Sequence, residues 1–157
     1  MLLLLLCLSI SVTLSASCEK GFVQYGSSCY IVLPETGTWL TAMEYCKAFG
    51  MSLTIVQSPD EYKFLKDYLY THRGSYTHAP DFWTAGSHMM STEWAWAGTD
   101  EEIETFFWGP GEPNNSGAIE RCLSFYARKN FTWNDEHCTY PGYPLCEKPL
   151  QFLNPGK

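Results

Sequence analysis

An α+β domain is the fold class this sequence predicts, and three features predict it. Apolar residues recur at helical spacing in two early segments, around 39–49 and 58–69. Strand-like runs lie towards both ends of the chain, and the long stretch 74–120 between them is rich in Gly, Pro, Trp and small polar residues. The chain has 157 residues, 45% of them hydrophobic, which is enough for one core and too few for two. With 17% charged and 16% aromatic residues, it is neither a disordered chain, a collagen-like repeat nor a coiled coil.

Residues 1–17 are expected to be a secretory signal peptide. Met1 to Ala16 carries no charged side chain, has a Leu-rich centre and ends in small residues. It is too short for a membrane span, and no later apolar stretch approaches twenty residues. Phe22–Tyr25 and Cys29–Val32 flank Gly26-Ser27-Ser28 and read as a hairpin. Trp39, Ala42, Met43, Cys46 and Phe49 mark a first helix, with Thr38 as N-cap and Gly50 as its stop. Ser58-Pro59-Asp60-Glu61 opens a second: a capping Ser, Pro at the first helical position and a Glu that closes the capping box. Leu65, Tyr68 and Leu69 should then face the core.

Within 74–120 only Phe82–Thr84 and Glu93–Ala97 resemble strands. So much irregular backbone in a small domain is more often functional than accidental. Strands resume at Cys122–Ala127, Phe131–Trp133 and Pro144–Glu147. Most of the six Trp read as core, with Trp133 next to the polar segment singled out below.

Loss of the leader with Cys7 leaves six cysteines, Cys18, Cys29, Cys46, Cys122, Cys138 and Cys146, an even set suited to disulfides outside the cell. Spacing alone permits about fifteen pairings. The sequence has no Cys-x-x-Cys and no His pair at metal-binding spacing, which disfavours zinc. A net charge of −7 without a basic block makes nucleic acid an unsuitable partner.

Two segments carry the chemistry. Glu112-Pro113-Asn114 with Glu120, and Trp133-Asn134-Asp135, together offer three carboxylates and two amide oxygens. Hard oxygen donors of this kind suit calcium, which takes roughly 6–8 of them, and leave room for ligand hydroxyls.

At these residues the chain resembles the C-type lectin-like domain family. The resemblance runs from about Cys18 to Glu147 through Trp39, Cys46, Phe82-Trp83-Thr84-Ala85-Gly86, Gly109–Asn114, Cys122, Trp133-Asn134-Asp135, Cys138 and Leu145-Cys146-Glu147. It implies a C-type lectin domain at 18–148, which follows the signal peptide expected at 1–17 and leaves a short C-terminal tail at 149–157. The implied fold is a double-loop domain with two helices, small antiparallel sheets and a long irregular ligand-binding loop region. The implied disulfides are Cys46–Cys146, Cys122–Cys138 and, in an N-terminal hairpin, Cys18–Cys29.

Also implied is calcium held by Glu112, Asn114, Glu120, Asn134 and Asp135, with the same five residues binding the carbohydrate and a cis peptide before Pro113. The order Glu-Pro-Asn is similar to that of binders of mannose-type sugars (mannose, GlcNAc, glucose and fucose); the swapped Gln-Pro-Asp goes with galactose. The family's accessory calcium uses acidic groups at positions matching His88, Asn115 and Arg121, none acidic here, so a second ion is not expected. No catalytic residue is expected, because Glu112 and Glu120 are better used on metal than as a glycosidase pair.

The functional expectation is thus a secreted, calcium-dependent lectin acting in pathogen recognition. The alternatives are a matrix or mineral-associated protein, or an inhibitor or venom-type partner of proteins. No collagen-like tract or heptad neck precedes Cys18, so multivalency has to come from self-association into homo-oligomers or be missing. Asn130-Phe131-Thr132 is a glycosylation sequon. Asn114-Asn115-Ser116 is another, but an amide that ligates calcium cannot carry a glycan, and Asn114 is expected unmodified.

Overall fold

The computed structural model of the chain describes residues 17–99 and 101–151. The expected signal peptide, but for Ser17, and the tail from Phe152 onward lie outside them. Strands β1 (Val23–Tyr25) and β2 (Ser28–Val32) form the N-terminal hairpin around Gly26, whose φ of 55° suits a residue without Cβ. Helix α1 (Trp39–Ala48) starts where the Thr38 hydroxyl accepts the Thr41 N–H at 3.2 Å. It buries Trp39, Ala42 and Cys46 and half-buries Met43, whereas Phe49 sits at the C-cap, 70% exposed.

Two-residue β3 (Ser52–Leu53) leads to α2 (Pro59–His72), which buries Leu65 and Leu69 and packs half-buried Tyr68 against the core. Ser58 accepts the Glu61 N–H at 3.1 Å, as the capping motif predicts. The Glu61 carboxylate does not return to Ser58. It accepts from the Gln57 N–H at 2.8 Å and the Tyr30 hydroxyl at 2.5 Å, which straps α2 to β2.

Strands β4 (Asp81–Ser87), β5 (Ala95–Trp96), β6 (Cys122–Tyr126), β7 (Thr132–Glu136) and β8 (Gly142–Pro149) complete the domain. The main path runs β1-β2-β8-β4-β6-β7, with β3 pairing β8 and β5 pairing β4. β8 is the joint. Its later residues pair antiparallel with β2, from Val32↔Leu145 to Ser28↔Pro149, and its first three pair parallel with β4, Asp81↔Gly142 to Trp83↔Pro144. The antiparallel ladders on either side are thereby linked into one mixed sheet.

Every residue of β4 is buried, between β8 and β6. The core around it holds Trp39, Trp83, Trp96 and Trp133, whereas Trp94 and Trp108 are half-buried. Each such ring contributes roughly 1.5–3 kcal/mol or more of apolar burial. Trp39 also donates Nε1–H to Thr84 O at 2.8 Å, and Trp83 donates to Gly37 O at 3.0 Å.

Disulfides join Cys18–Cys29, Cys46–Cys146 and Cys122–Cys138. Cys46–Cys146 ties α1 to β8 across a separation of 100 residues. By chain entropy a loop of that size is worth about 4–5 kcal/mol, and the 16-residue Cys122–Cys138 span about 3.

Asp81, only 3% exposed, carries a testable electrostatic cost. Burial pushes its carboxyl up to about 7, against the opposing hydrogen bond donated by the Ser124 hydroxyl at 2.7 Å. A carboxyl whose folded pKa is raised binds more protons in the native state. Its contribution is therefore present below the unfolded value near 4 and lost as pH rises towards 7. Asp81→Asn, which keeps an acceptor for Ser124, is expected to raise the melting temperature at pH 8 and change it little at pH 4. Equal shifts at both pH values in thermal melts would contradict this assignment.

Candidate functional site

The long loop between β5 and β6 meets β7 at one end of the sheet. Gly109 donates its N–H to Trp133 O at 2.8 Å, and a Cβ at Gly109 would collide with the Thr132 side chain, so glycine permits the close approach. The loop then turns back through the Glu112 N–H to Gly109 O, 3.0 Å, and enters a cis peptide at Glu112-Pro113. Asn114 donates its side-chain N–H to Glu112 Oε2.

β7 supplies the opposite wall with Asn134, 6% exposed, and Asp135, 1% exposed. The Asp135 carboxylate accepts the backbone N–H groups of Asn114 at 2.9 Å and Asn115 at 2.7 Å. One side chain on a rigid strand thus fixes the path of the loop. Asn134 donates Nδ2–H to Asp135 O at 2.8 Å. The Cys122–Cys138 bridge braces β6 against the end of β7 beside these residues.

Glu120 closes the loop and is clamped from three sides. Its carboxylate accepts the Ser116 N–H at 2.7 Å, and its N–H donates to Asn115 Oδ1 at 3.2 Å. Its carbonyl lies 3.0 Å from His88 Nε2. His88 also donates its backbone N–H to Arg121 O at 3.0 Å. Of the three positions matched to an accessory ion, His88 and Asn115 are therefore engaged in holding Glu120, and the Arg121 carbonyl anchors His88.

The five predicted donors are brought together. Glu112 and Asn114 touch each other, Asp135 holds the Asn114 backbone, Asn134 holds the Asp135 carbonyl, and Glu120 joins through Asn115. Asn130 stands apart, exposed in a left-handed turn with φ 56°.

Electrostatics strain this cluster. Burial pushes the Asp135 carboxyl upward, opposed by the N–H groups of Asn115 and Asn114. Burial likewise raises Glu120, opposed by the Ser116 N–H and reinforced by the charges of Asp135, Glu136 and Glu112. Such mutual repulsion is what a cation would relieve.

Lys129 is the residue that sequence reasoning missed. Its ammonium pairs with Glu112 Oε1, and the Glu112 side chain is fully covered. Among the described residues no three His, Cys, Asp or Glu side chains are placed to hold a metal ion as they stand. The donor set nevertheless fits calcium chemically: all oxygen, with two of the five donors neutral amides and no sulfur or imidazole.

Known proteins agree with the fold. The family described as Lectin C-type domain matches residues 35–148. Perlucin from Haliotis laevigata is 32% identical over 133 residues, covering 83% of this chain and 83% of that protein. The carbohydrate-recognition domain of the mouse scavenger receptor C-type lectin superposes with a TM-score of 0.73 at 20% identity, covering 86% of this chain and 100% of that one. A calcium-independent type II antifreeze protein superposes with a TM-score of 0.69 at 24% identity, covering 87% and 98%. At these identities the two structures speak for the fold alone.

Proposed function

This chain belongs to the C-type lectin domain family, and from that membership we propose that it is a secreted, calcium-dependent lectin for mannose-type sugars. The fold by itself does not entail calcium, since it is shared with an antifreeze protein described as calcium-independent. What supports the reading is the set of five donors, Glu112, Asn114, Glu120, Asn134 and Asp135, linked by hydrogen bonds between the loop and β7, with Glu120 joined through Asn115.

Calcium, when bound, supplies a hard cation to which two sugar hydroxyls can add. The protein's own part is to sort hydrogen bonds around those hydroxyls. A ligated carboxylate only accepts, whereas a ligated amide still donates through its NH₂ group. Glu112 thus offers an acceptor and Asn114 a donor two residues away. Glu120 and Asn134 repeat that pairing of carboxylate and amide from the other segments. Two vicinal hydroxyls of suitable handedness then each find one acceptor and one donor. Asn115-Ser116-Gly117-Ala118-Ile119 contains no aromatic ring that would favour galactose.

No helix among the described residues is long and apolar enough to cross a membrane. Secretion follows in this reading from the signal peptide at 1–17 and from three disulfides, which persist in oxidising compartments.

The protein is expected to be retained on mannan resin in calcium and to elute with EDTA. Acid is expected to release it as well. Glu120 and Asp135 have carboxyls raised by burial, and the protonated forms do not ligate, so retention is present at neutral pH and lost as pH falls. The release midpoint is expected to move to higher pH when calcium is lowered. Retention that persists in excess chelator would overturn the proposal.

A further inference from the structure

Lys129 occupies an unusual position for a lysine on a turn. The described residues contain two other ion pairs, Lys63–Asp67 and Lys148–Glu19, whose carboxylate side chains are 63% and 61% exposed. The Glu112 side chain, by contrast, is 0% exposed, while Lys129 keeps 36% of its side chain in solvent. A covered carboxylate needs a partner, and the lysine supplies it.

Both oxygens of Glu112 are engaged: Oε1 with the Lys129 ammonium and Oε2 with the Asn114 amide. The lysine is delivered there by local structure. Residues Ala127–Lys129 form a short 3₁₀ turn, Thr132 donates its hydroxyl to Lys129 O at 2.8 Å, and the Asn130 N–H closes on Ala127 O at 3.2 Å.

We propose that Lys129 is an internal counter-cation of Glu112 that calcium must displace, so that this lysine sets the calcium concentration at which the site fills. The inference rests on the calcium reading above and adds a residue to it. A metal at Oε1 would meet the ammonium already paired with that atom, and two cations sharing one carboxylate repel.

The displaced ammonium has somewhere to go. An open cavity of about 470 Å³, lined by Pro110, Arg128, Asn130 and Thr132, lies at the same turn and already includes Lys129 in its wall. Filling of the site therefore exchanges an internal monovalent charge for a divalent one and returns the lysine to solvent.

Calorimetric titration with calcium chloride of the wild type, Lys129→Met and Lys129→Arg tests this. Methionine keeps the length of the stem without charge, and arginine keeps the charge. Lys129→Met is expected to bind calcium about tenfold more tightly, a difference of about 1.4 kcal/mol, with Lys129→Arg near wild type. In EDTA, Lys129→Met is also expected to melt at lower temperature than wild type, and calcium should close that gap. Wild-type or weaker calcium affinity in Lys129→Met, with the wild type still binding, would overturn this inference and leave the calcium reading standing. Absence of calcium uptake by all three proteins would overturn both.

Discussion

Asp135→Ala is expected to abolish calcium-dependent retention on mannan and to lower the stability of the fold at the same time. The carboxylate accepts two backbone N–H groups, from Asn114 and Asn115, and is 1% exposed. Alanine removes the acceptor of both part-buried hydrogen bonds, a loss of about 1–3 kcal/mol. It also removes one proposed ligand and frees the loop that carries three others, Glu112, Asn114 and Glu120. Loss of binding is therefore expected to exceed what one missing oxygen would cause, and raising calcium about a hundredfold should not restore it. Stability in urea and resin retention together check the claim. Full retention by a folded Asp135→Ala protein would remove Asp135 from the site.

The double exchange Glu112→Gln with Asn114→Asp is expected to retain calcium binding while moving preference from mannose towards galactose. One carboxylate and one amide remain, so the count of oxygen ligands is unchanged. Their order is reversed, and with it the direction of the hydrogen bonds offered to each hydroxyl. The expected change in the mannose-to-galactose affinity ratio is about tenfold, corresponding to about 1.4 kcal/mol. A larger gain would call for an aromatic platform, which residues 115–119 do not provide. Competition of free monosaccharides against mannan retention measures the ratio. An unchanged preference for mannose in a calcium-binding double variant would show that donor and acceptor order does not set specificity here.

Much of this architecture is legible in the sequence where the signal is local. Helix α2 begins at Pro59, as Ser58-Pro59-Asp60-Glu61 predicts, because capping depends on residues a turn apart. The Glu61 carboxylate escapes that local logic: its partner Tyr30 is 31 residues away, and tertiary contact wins. Strand β3 is two residues long and exists through pairing with β8, so it has no periodicity to read. β8 runs from Gly142 to Pro149, although Pro144 argues against a strand interior; the sequence reading stops at 144–147. β4 carries the polar Asp81 and Ser87 at its two ends on buried positions, and the sequence reading is confined to Phe82–Thr84.

The candidate site divides along the same line. Its five donors stand in two short runs whose residue types announce oxygen chemistry. Lys129 does not announce itself, since a lysine after Arg128 on a turn reads as an exposed cation. Only the folding of that turn against Gly109–Glu112 brings its ammonium to Glu112.

Sugar hydroxyls are expected to bind through calcium held by these five residues. A glycan array probed with the protein in calcium and again in EDTA tests it most directly. Signals are expected on glycans ending in mannose, GlcNAc or fucose, with weak signals on terminal galactose and loss of all of them in EDTA. Glycan signals of equal strength with and without the chelator would contradict it.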